Sequence, residues 1–112
     1  DSHLAFLKSL ALSHQIGDLF FVHAGIRPGI ALNSQEENDL LWIRQEFHIH
    51  TAPHPALIIH GHTPVDKPTH YGNRVNLDTG AGYGKALTAA VFDGGKVWHL
   101  TDTGREALKP KA

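Results

Sequence analysis

The chain has 112 residues and contains no cysteine, no methionine and no surplus of basic residues. The absence of cysteine excludes disulfide scaffolds, thiolate zinc sites and cysteine nucleophiles together, and it is compatible with the reducing cytoplasm, where we place the protein. No apolar run approaches the roughly 20 residues that span a bilayer, so we expect no membrane partner. Lys and Arg number 10 against 11 Asp and Glu, so we expect no nucleic-acid partner.

The chain is unusually rich in histidine, with 10 histidines among its 112 residues. The length suits one domain, and we treat residues 1–112 as a single domain. Because the sequence has no methionine even at its first position, we expect it to be a processed piece or an excised domain of a longer protein.

Hydrophobic spacing predicts helices and strands in alternation. A helix is predicted over residues 2–13, ending near His14 to Gly17. A second helix, with Leu40, Ile43 and Phe47 on one face, is predicted to start at a capping box of Ser34 and Glu37 and to end at about Phe47. Strands are predicted at 18–24, 56–61, 74–78, 86–92 and 96–100, with a hairpin turn at 93–95 and a short helix from Thr103. Polar and apolar residues alternate over 74–78, which is typical of a half-buried strand. The order favours an α/β (α+β) fold with a mixed β-sheet.

Two of the apolar strands end abruptly in histidine and glycine. Residues 20–22 lead into His23, and residues 57–59 lead into His60, Gly61 and His62. The carboxyl ends of strands form the ligand crevice of open α/β sheets, and imidazole is a common ligand of divalent metals. The sequence therefore predicts that His23 and His62 bind one metal ion, although a lone strand-end histidine could equally form only a backbone hydrogen bond.

The remaining histidines receive weaker assignments. His60 is two residues from His62, so it either binds the same metal or orients a metal ligand, and we favour the second role or simple packing. His48, His50 and His54 could bind zinc together, but the loop that carries them contains two prolines, and we favour a solvated loop.

Four segments resemble the calcineurin-like metallophosphoesterases, in the order and spacing of that family. They are FVHAGIRPG at 21–29, DLLWIR at 39–44, HGHTPV at 60–65 and NLDTGA at 76–81. Within the family the chain looks closest to the bacterial serine/threonine protein phosphatases, which themselves resemble diadenosine tetraphosphate hydrolases. The amino-terminal motifs of the family, G-D-x-H-G, G-D-x-x-D-R-G and G-N-H-E, are absent, so the chain resembles the carboxyl-terminal half of the domain.

The resemblance implies the second half of a four-layer αββα sandwich with two divalent metal ions, most often manganese, with iron or zinc as alternatives. It implies that His23 and His62 bind the second metal and that Arg44 binds the substrate phosphate. Arg27 and Tyr83 are further candidates for substrate contact, and Asp78 is a candidate for orienting His62. No catalytic residue beyond metal and phosphate ligands is expected in this half.

The implied reaction is hydrolysis of a phosphomonoester by in-line attack of a metal-bound hydroxide, most of all on phosphoserine or phosphothreonine in proteins. Hydrolysis of diadenosine polyphosphates is the alternative within enzymes, and a non-catalytic metal-binding or interaction module is the alternative outside them. The expected partners are a phosphorylated protein or small phosphoester, the missing amino-terminal half and a second copy of the chain. The fragment alone is expected to be inactive.

Overall fold

The computed structural model describes residues 12–85, 88–93 and 95–110. Its larger sheet has five strands in the order β1-β2-β3-β5-β4. They are β1 (Ser13–Ile16), β2 (Leu19–Val22), β3 (Leu57–His60), β4 (Thr69–His70) and β5 (Arg74–Asn76). The three central strands are parallel, and both edge strands are antiparallel to their neighbours. The predicted mixed sheet is confirmed.

The second sheet is an antiparallel meander of three strands. It contains β6 (Ala90–Asp93), β7 (Lys96–Thr101) and β8 (Gly104–Leu108). The predicted hairpin at 93–95 is confirmed, since Asp93 pairs with Lys96. The pairing of Thr101 with Gly104 closes a second tight hairpin.

Two short helices connect β2 to β3, namely α1 (Glu37–Trp42) and α2 (Gln45–His48). They cover one face of the larger sheet, where Phe20 and Ile58 pack with Leu40, Ile43 and Phe47 in one buried cluster. The predicted apolar face of the helix is therefore confirmed. In the described ranges, no helix has the length and hydrophobicity that crossing a membrane requires.

The opposite face of the larger sheet packs against the second sheet. Ile59, Val75 and Val97 form the buried centre of this contact, with Phe21 and Phe92 packed edge to face at 5.6 Å between ring centroids. Because consecutive strand residues point to opposite faces, β2 and β3 contribute to both clusters, which explains their continuous apolar sequences. The described chain is thus a mixed α/β structure with two sheets, as predicted.

The amino-terminal helix prediction is wrong where the structure tests it. Residues Ser13–Ile16 are a strand that pairs with β2 through a two-residue turn at Gly17 and Asp18. Gly17 has φ 55°, a left-handed conformation that glycine adopts without steric cost. The rest of the predicted helix, residues 2–11, lies outside the described residues.

The second predicted helix is interrupted rather than continuous. Ser34 lies in a 3₁₀ turn (Leu32–Ser34), and α1 is preceded by Glu36 without any side-chain capping bond, so the predicted capping box does not form. The helix stops at Trp42, and Arg44 has φ −133° and ψ −91° immediately before α2. Arg44 thus lies at a break between helices, and not on a helix as predicted.

Two further predictions need correction. The short helix from Thr103 is wrong, because Gly104–Leu108 is strand β8. Thr101 Oγ1 accepts the Thr103 N–H at 3.3 Å and donates to the Gly104 carbonyl at 2.9 Å. These two hydrogen bonds stabilise a hairpin turn at the position where the helix was predicted to start. The strand predicted at 74–78 was expected to be half-buried, but it spans Arg74–Asn76 and all three residues are buried.

Candidate functional site

The three parallel strands bring their carboxyl ends to one edge of the sheet. His23 directly follows β2, His62 lies two residues after β3, and Asp78 lies two residues after β5. Backbone hydrogen bonds connect the strand exits: the Gly61 N–H donates to the His23 carbonyl at 2.7 Å. The topology therefore gathers two imidazoles and a carboxylate at the edge where α/β sheets bind ligands.

The two imidazoles lie in direct contact. His23 Nε2 is 3.1 Å from His62 Nδ1, and the ring centroids are 4.9 Å apart. Two nitrogens that each lie about 2.1 Å from one divalent ion are about 3 to 3.4 Å apart when the angle at the metal is roughly 90° to 110°. The observed separation fits two ligands of one metal ion, and without metal it equally fits a hydrogen bond between the rings.

His62 has the conformation and surroundings of a constrained residue. Its φ of 70° is the one positive φ of a non-glycine residue among those described. Its Nε2 is buried and has no hydrogen-bond partner in the described part of the chain. Burial lowers the pKa of His62, and the positive charges of Arg44 and His23 lower it further, against the opposing effect of Asp78. This environment favours the neutral imidazole, the form that binds metals.

Trp42 and Arg44 lie beside this pair. Trp42 is 64% exposed, and its ring meets that of His62 edge to face with centroids 5.6 Å apart. Arg44 is exposed and lines an open cleft of about 350 Å³ together with Trp42 and Arg27. The structure thus brings the predicted phosphate ligand, Arg44, close enough to His62 for its charge to affect the pKa of the imidazole.

Arg27 is largely occupied by a neighbour. Its Nε and Nη2 donate to the two carboxylate oxygens of Asp39, each at 2.9 Å. The hydrogen bond from Arg27 holds the pKa of Asp39 below its usual value, although burial opposes this. Gln35 also accepts the Arg27 N–H at 2.8 Å and donates to the Arg27 carbonyl at 3.0 Å. Through these contacts Arg27 stabilises the loop after His23.

The other candidate residues occupy separate environments. Asp78 uses Oδ1 to accept the Gly80 N–H at 2.9 Å, which stabilises the turn after β5. Tyr83 is 82% exposed in the 3₁₀ turn Ala81–Tyr83. His60 is buried, and it contacts the core through Phe47, whose ring centroid is 4.8 Å from that of His60. The structure therefore places Asp78 at the same edge as the two imidazoles and His60 behind it.

Arg74 is a residue of this region that the sequence analysis did not single out. It is buried, its Nη1 lies 3.0 Å from His60 Nε2, and its guanidinium lies over the Tyr71 ring at 3.8 Å from the centroid. Burial and the charge of Arg74 lower the pKa of His60 to about 3. The alternation of polar and apolar residues in Arg74-Val75-Asn76 was the available signal, but such alternation also indicates a half-buried strand with one side facing solvent.

The histidine-rich loop is held against the sheet. Asn73 donates to the carbonyls of His50 and Ala52 at 2.7 and 3.1 Å, and the rings of His50 and His54 stack with centroids 4.9 Å apart. Within residues 12–85, 88–93 and 95–110, no group of three or more histidine, aspartate or glutamate side chains has the arrangement of a metal site.

Comparison with known proteins finds relatives over a limited segment. Three curated proteins named bis(5'-nucleosyl)-tetraphosphatase PrpE [asymmetrical] match over 37 residues, which is 33% of this chain and 15% of each relative. Identities are 59% for Geobacillus thermodenitrificans, 51% for Anoxybacillus flavithermus and 53% for Bacillus thuringiensis. No family model and no solved structure matches the chain. The chain is thus similar to bacterial hydrolases across one third of its length.

Proposed function

We propose that this chain is the carboxyl-terminal part of a calcineurin-like, metal-dependent phosphoester hydrolase. The observation that carries the proposal is the 3.1 Å contact between His23 Nε2 and His62 Nδ1 at the carboxyl edge of parallel strands. The names of the curated relatives support a phosphoanhydride or phosphoester substrate.

In this proposal His23 and His62 hold one divalent ion, with manganese as first choice and iron or zinc as alternatives. The neutral imidazoles supply lone pairs, and the turn at Gly61 fixes the direction of His62. When bound, the ion supplies Lewis-acid stabilisation of phosphoryl oxygens and activates water. A second ion and the remaining ligands belong to the amino-terminal motifs that the chain lacks.

Arg44 is proposed to bind the phosphoryl group. A guanidinium offers two parallel N–H donors that match two phosphate oxygens, and it stays charged throughout the working pH range. The break before α2 leaves Arg44 exposed at the cleft, where a substrate can reach it. Its positive charge near His62 suits a site in which negative charge develops on oxygen.

Two substrate classes follow from different observations. The relatives' names favour dinucleoside polyphosphates, whose nucleoside groups would find the exposed ring of Trp42 beside the metal ligands. The resemblance to the bacterial serine/threonine protein phosphatases favours phosphoserine and phosphothreonine in proteins. Binding of diadenosine tetraphosphate and of a phosphoserine peptide to the Mn²⁺-loaded chain, measured by ³¹P relaxation, separates these classes.

The metal site is tested by titrating Zn²⁺ into the chain in a calorimeter. Zinc is chosen because it binds nitrogen ligands more tightly than manganese does. We expect His23→Ala and His62→Ala to weaken the tightest site about tenfold or more, since each removes one of two ligands. His14→Ala, which removes an exposed histidine from β1, is the matched control and should bind as the unchanged chain does. Equal affinity in all four proteins would refute the shared site.

Activity is tested with p-nitrophenyl phosphate and Mn²⁺. Because catalytic metal centres generally use three or more protein ligands, we expect negligible turnover by the 112-residue chain alone. Robust turnover would contradict this division of the site. The role of Arg44 is tested by ³¹P relaxation of inorganic phosphate with Mn²⁺: Arg44→Ala should weaken phosphate binding about tenfold at unchanged metal affinity, and Arg105→Ala should not.

A further inference from the structure

A buried arginine lies behind the turn that carries His62. Arg74 is 6% exposed, and its guanidinium lies 3.8 Å from the ring centroid of Tyr71 and 5.5 Å from that of Phe47. Taking a guanidinium out of water is costly unless its N–H groups are hydrogen-bonded. The hydrogen bonds of Arg74 must therefore offset the cost of its burial.

Among the side chains that Arg74 contacts, His60 is the one next to the turn that carries His62. Arg74 Nη1 lies 3.0 Å from His60 Nε2. A guanidinium can only donate, so Nε2 accepts and the ring proton is on Nδ1. His60 Nδ1 lies 3.2 Å from the Gly61 carbonyl oxygen, and it donates to this oxygen. Arg74 thus selects one tautomer of the imidazole.

Gly61 is fixed on both sides. Its N–H donates to the His23 carbonyl at 2.7 Å, and its carbonyl accepts from His60 at 3.2 Å. The peptide that contains this carbonyl leads directly into His62, so its orientation sets φ of His62, which is 70°. Space at Gly61 is also limited, since an added Cβ would lie 3.1 Å from the Asp78 Cβ.

We propose that Arg74 is a positioning residue for the metal ligands. Its guanidinium holds His60 with the proton on Nδ1, His60 holds the Gly61 carbonyl, and this carbonyl keeps His62 in the left-handed conformation that brings Nδ1 to His23. The consequence for metal binding rests on the proposed function. The effect on the tautomer and on the turn does not require a metal.

The first test is the tautomer of His60 in the metal-free chain, read from the ¹⁵N shifts of the imidazole. We expect a protonated Nδ1 and an unprotonated Nε2 in the unchanged chain. Arg74→Met, which removes the donor but keeps a long side chain, should give a mixture of tautomers. Arg74→Lys keeps a donor and should restore the original tautomer in part. An unchanged tautomer in Arg74→Met would overturn the proposal.

The second test is Zn²⁺ affinity, measured in parallel with thermal unfolding. Loss of a group that orients a metal ligand typically weakens binding about 10- to 100-fold, and we expect this range for Arg74→Met. Arg105→Met is the matched control, because Arg105 also lies over an aromatic ring but belongs to the second sheet. Its guanidinium carbon is 4.8 Å from the ring centroid of Trp98. Equal affinity in Arg74→Met and the unchanged chain would overturn the proposal, and rescue by Arg74→Lys would support it.

If Arg74→Met does not fold, a second pair of variants tests the positioning role through His60. His60→Asn places an amide N–H near the position of Nδ1–H, whereas His60→Leu has no donor. We expect His60→Asn to bind Zn²⁺ at least tenfold more tightly than His60→Leu, and equal affinities would overturn the proposal. If the unchanged chain binds no zinc at His23 and His62, the proposed function fails while the tautomer measurement still decides the role of Arg74.

Discussion

Replacing Gly25 by alanine should test how closely the loop after His23 is packed against the helices. An added Cβ would lie 2.3 Å from Cδ2, 2.6 Å from Cε2 and 2.8 Å from Cγ of Phe47. Phe47 is fully buried, and its ring also contacts His60 and His54, so it cannot rotate aside without disturbing them. Overpacking typically costs about 1–3 kcal/mol, and contact with three atoms of a fixed ring predicts the upper end, about 3 kcal/mol. The backbone strain of an alanine at the Gly25 φ of 155° adds to this steric cost.

The assay is urea and thermal unfolding, followed by circular dichroism. At about 4 °C per kcal/mol for a domain of this size, the steric contact alone should lower the transition temperature by about 12 °C. Gly29→Ala is the matched control, because it lies in the same loop with nothing within 4 Å of an added Cβ and with φ 87°. That variant carries only the cost of a left-handed alanine, about 1–2 kcal/mol.

A double-mutant cycle with Phe47→Leu isolates the steric contact. The smaller side chain should relieve Gly25→Ala, giving a coupling energy of about 1–2 kcal/mol. The reasoning is refuted if Gly25→Ala is no less stable than Gly29→Ala, or if the cycle shows no coupling. Because Gly25 lies two residues after His23, weaker Zn²⁺ binding by Gly25→Ala should accompany the loss of stability.

Three further predictions concern stability. The bond to Arg27 lowers the pKa of Asp39, so this ion pair stabilises fully above the reference value of 3.8 and is lost as pH falls through the lower folded value. Asp39→Asn should therefore unfold at a lower urea concentration than the unchanged chain at pH 6, and this difference should shrink as the pH is lowered below 3.8; a pH-independent difference would contradict this. His62→Gly should be about 1 kcal/mol more stable than His62→Ala in urea unfolding, because glycine accepts φ 70°; equal midpoints would contradict the strained conformation. Asn73→Ala removes two donors to loop 48–55 and should cost about 1–3 kcal/mol, with faster amide exchange in that loop; unchanged exchange would argue against the anchor.

Strands β2 and β3 could be predicted from the sequence because long buried segments carry a strong local signal. Both are apolar on two faces, and both end in a glycine-containing turn that marks the exit from the sheet. The apolar face of Leu40, Ile43 and Phe47 could also be predicted, because these residues have helical spacing in the sequence. His23 and His62 are candidate metal ligands because each follows such a strand, and the parallel pairing of β2 with β3 accounts for their contact.

The errors occurred where a local signal fitted two structures. Gly17-Asp18 and Asp102-Thr103 are two-residue hairpin turns, but the first was interpreted as a helix end and the second as a helix start. Ser34 and Glu37 have the spacing of a capping box, yet the helix begins after Glu36. Which alternative forms depends on strand pairing between distant segments, and sequence spacing alone does not contain that information.

The environment of Arg74 could not be predicted, because it depends on three segments that meet only in the fold. His60 comes from β3, Tyr71 from the turn before β5, and Phe47 from α2. The strand alternation suggested an exposed side, whereas Phe47 of α2 packs against Arg74 on that side, with 5.5 Å between the guanidinium and the ring centroid. A buried cation bonded to a buried imidazole is costly to maintain, and a purely apolar pair would pack there at less cost. Since the imidazole reaches the peptide that sets the conformation of His62, the chain's own geometry links this cost to the orientation of a proposed metal ligand.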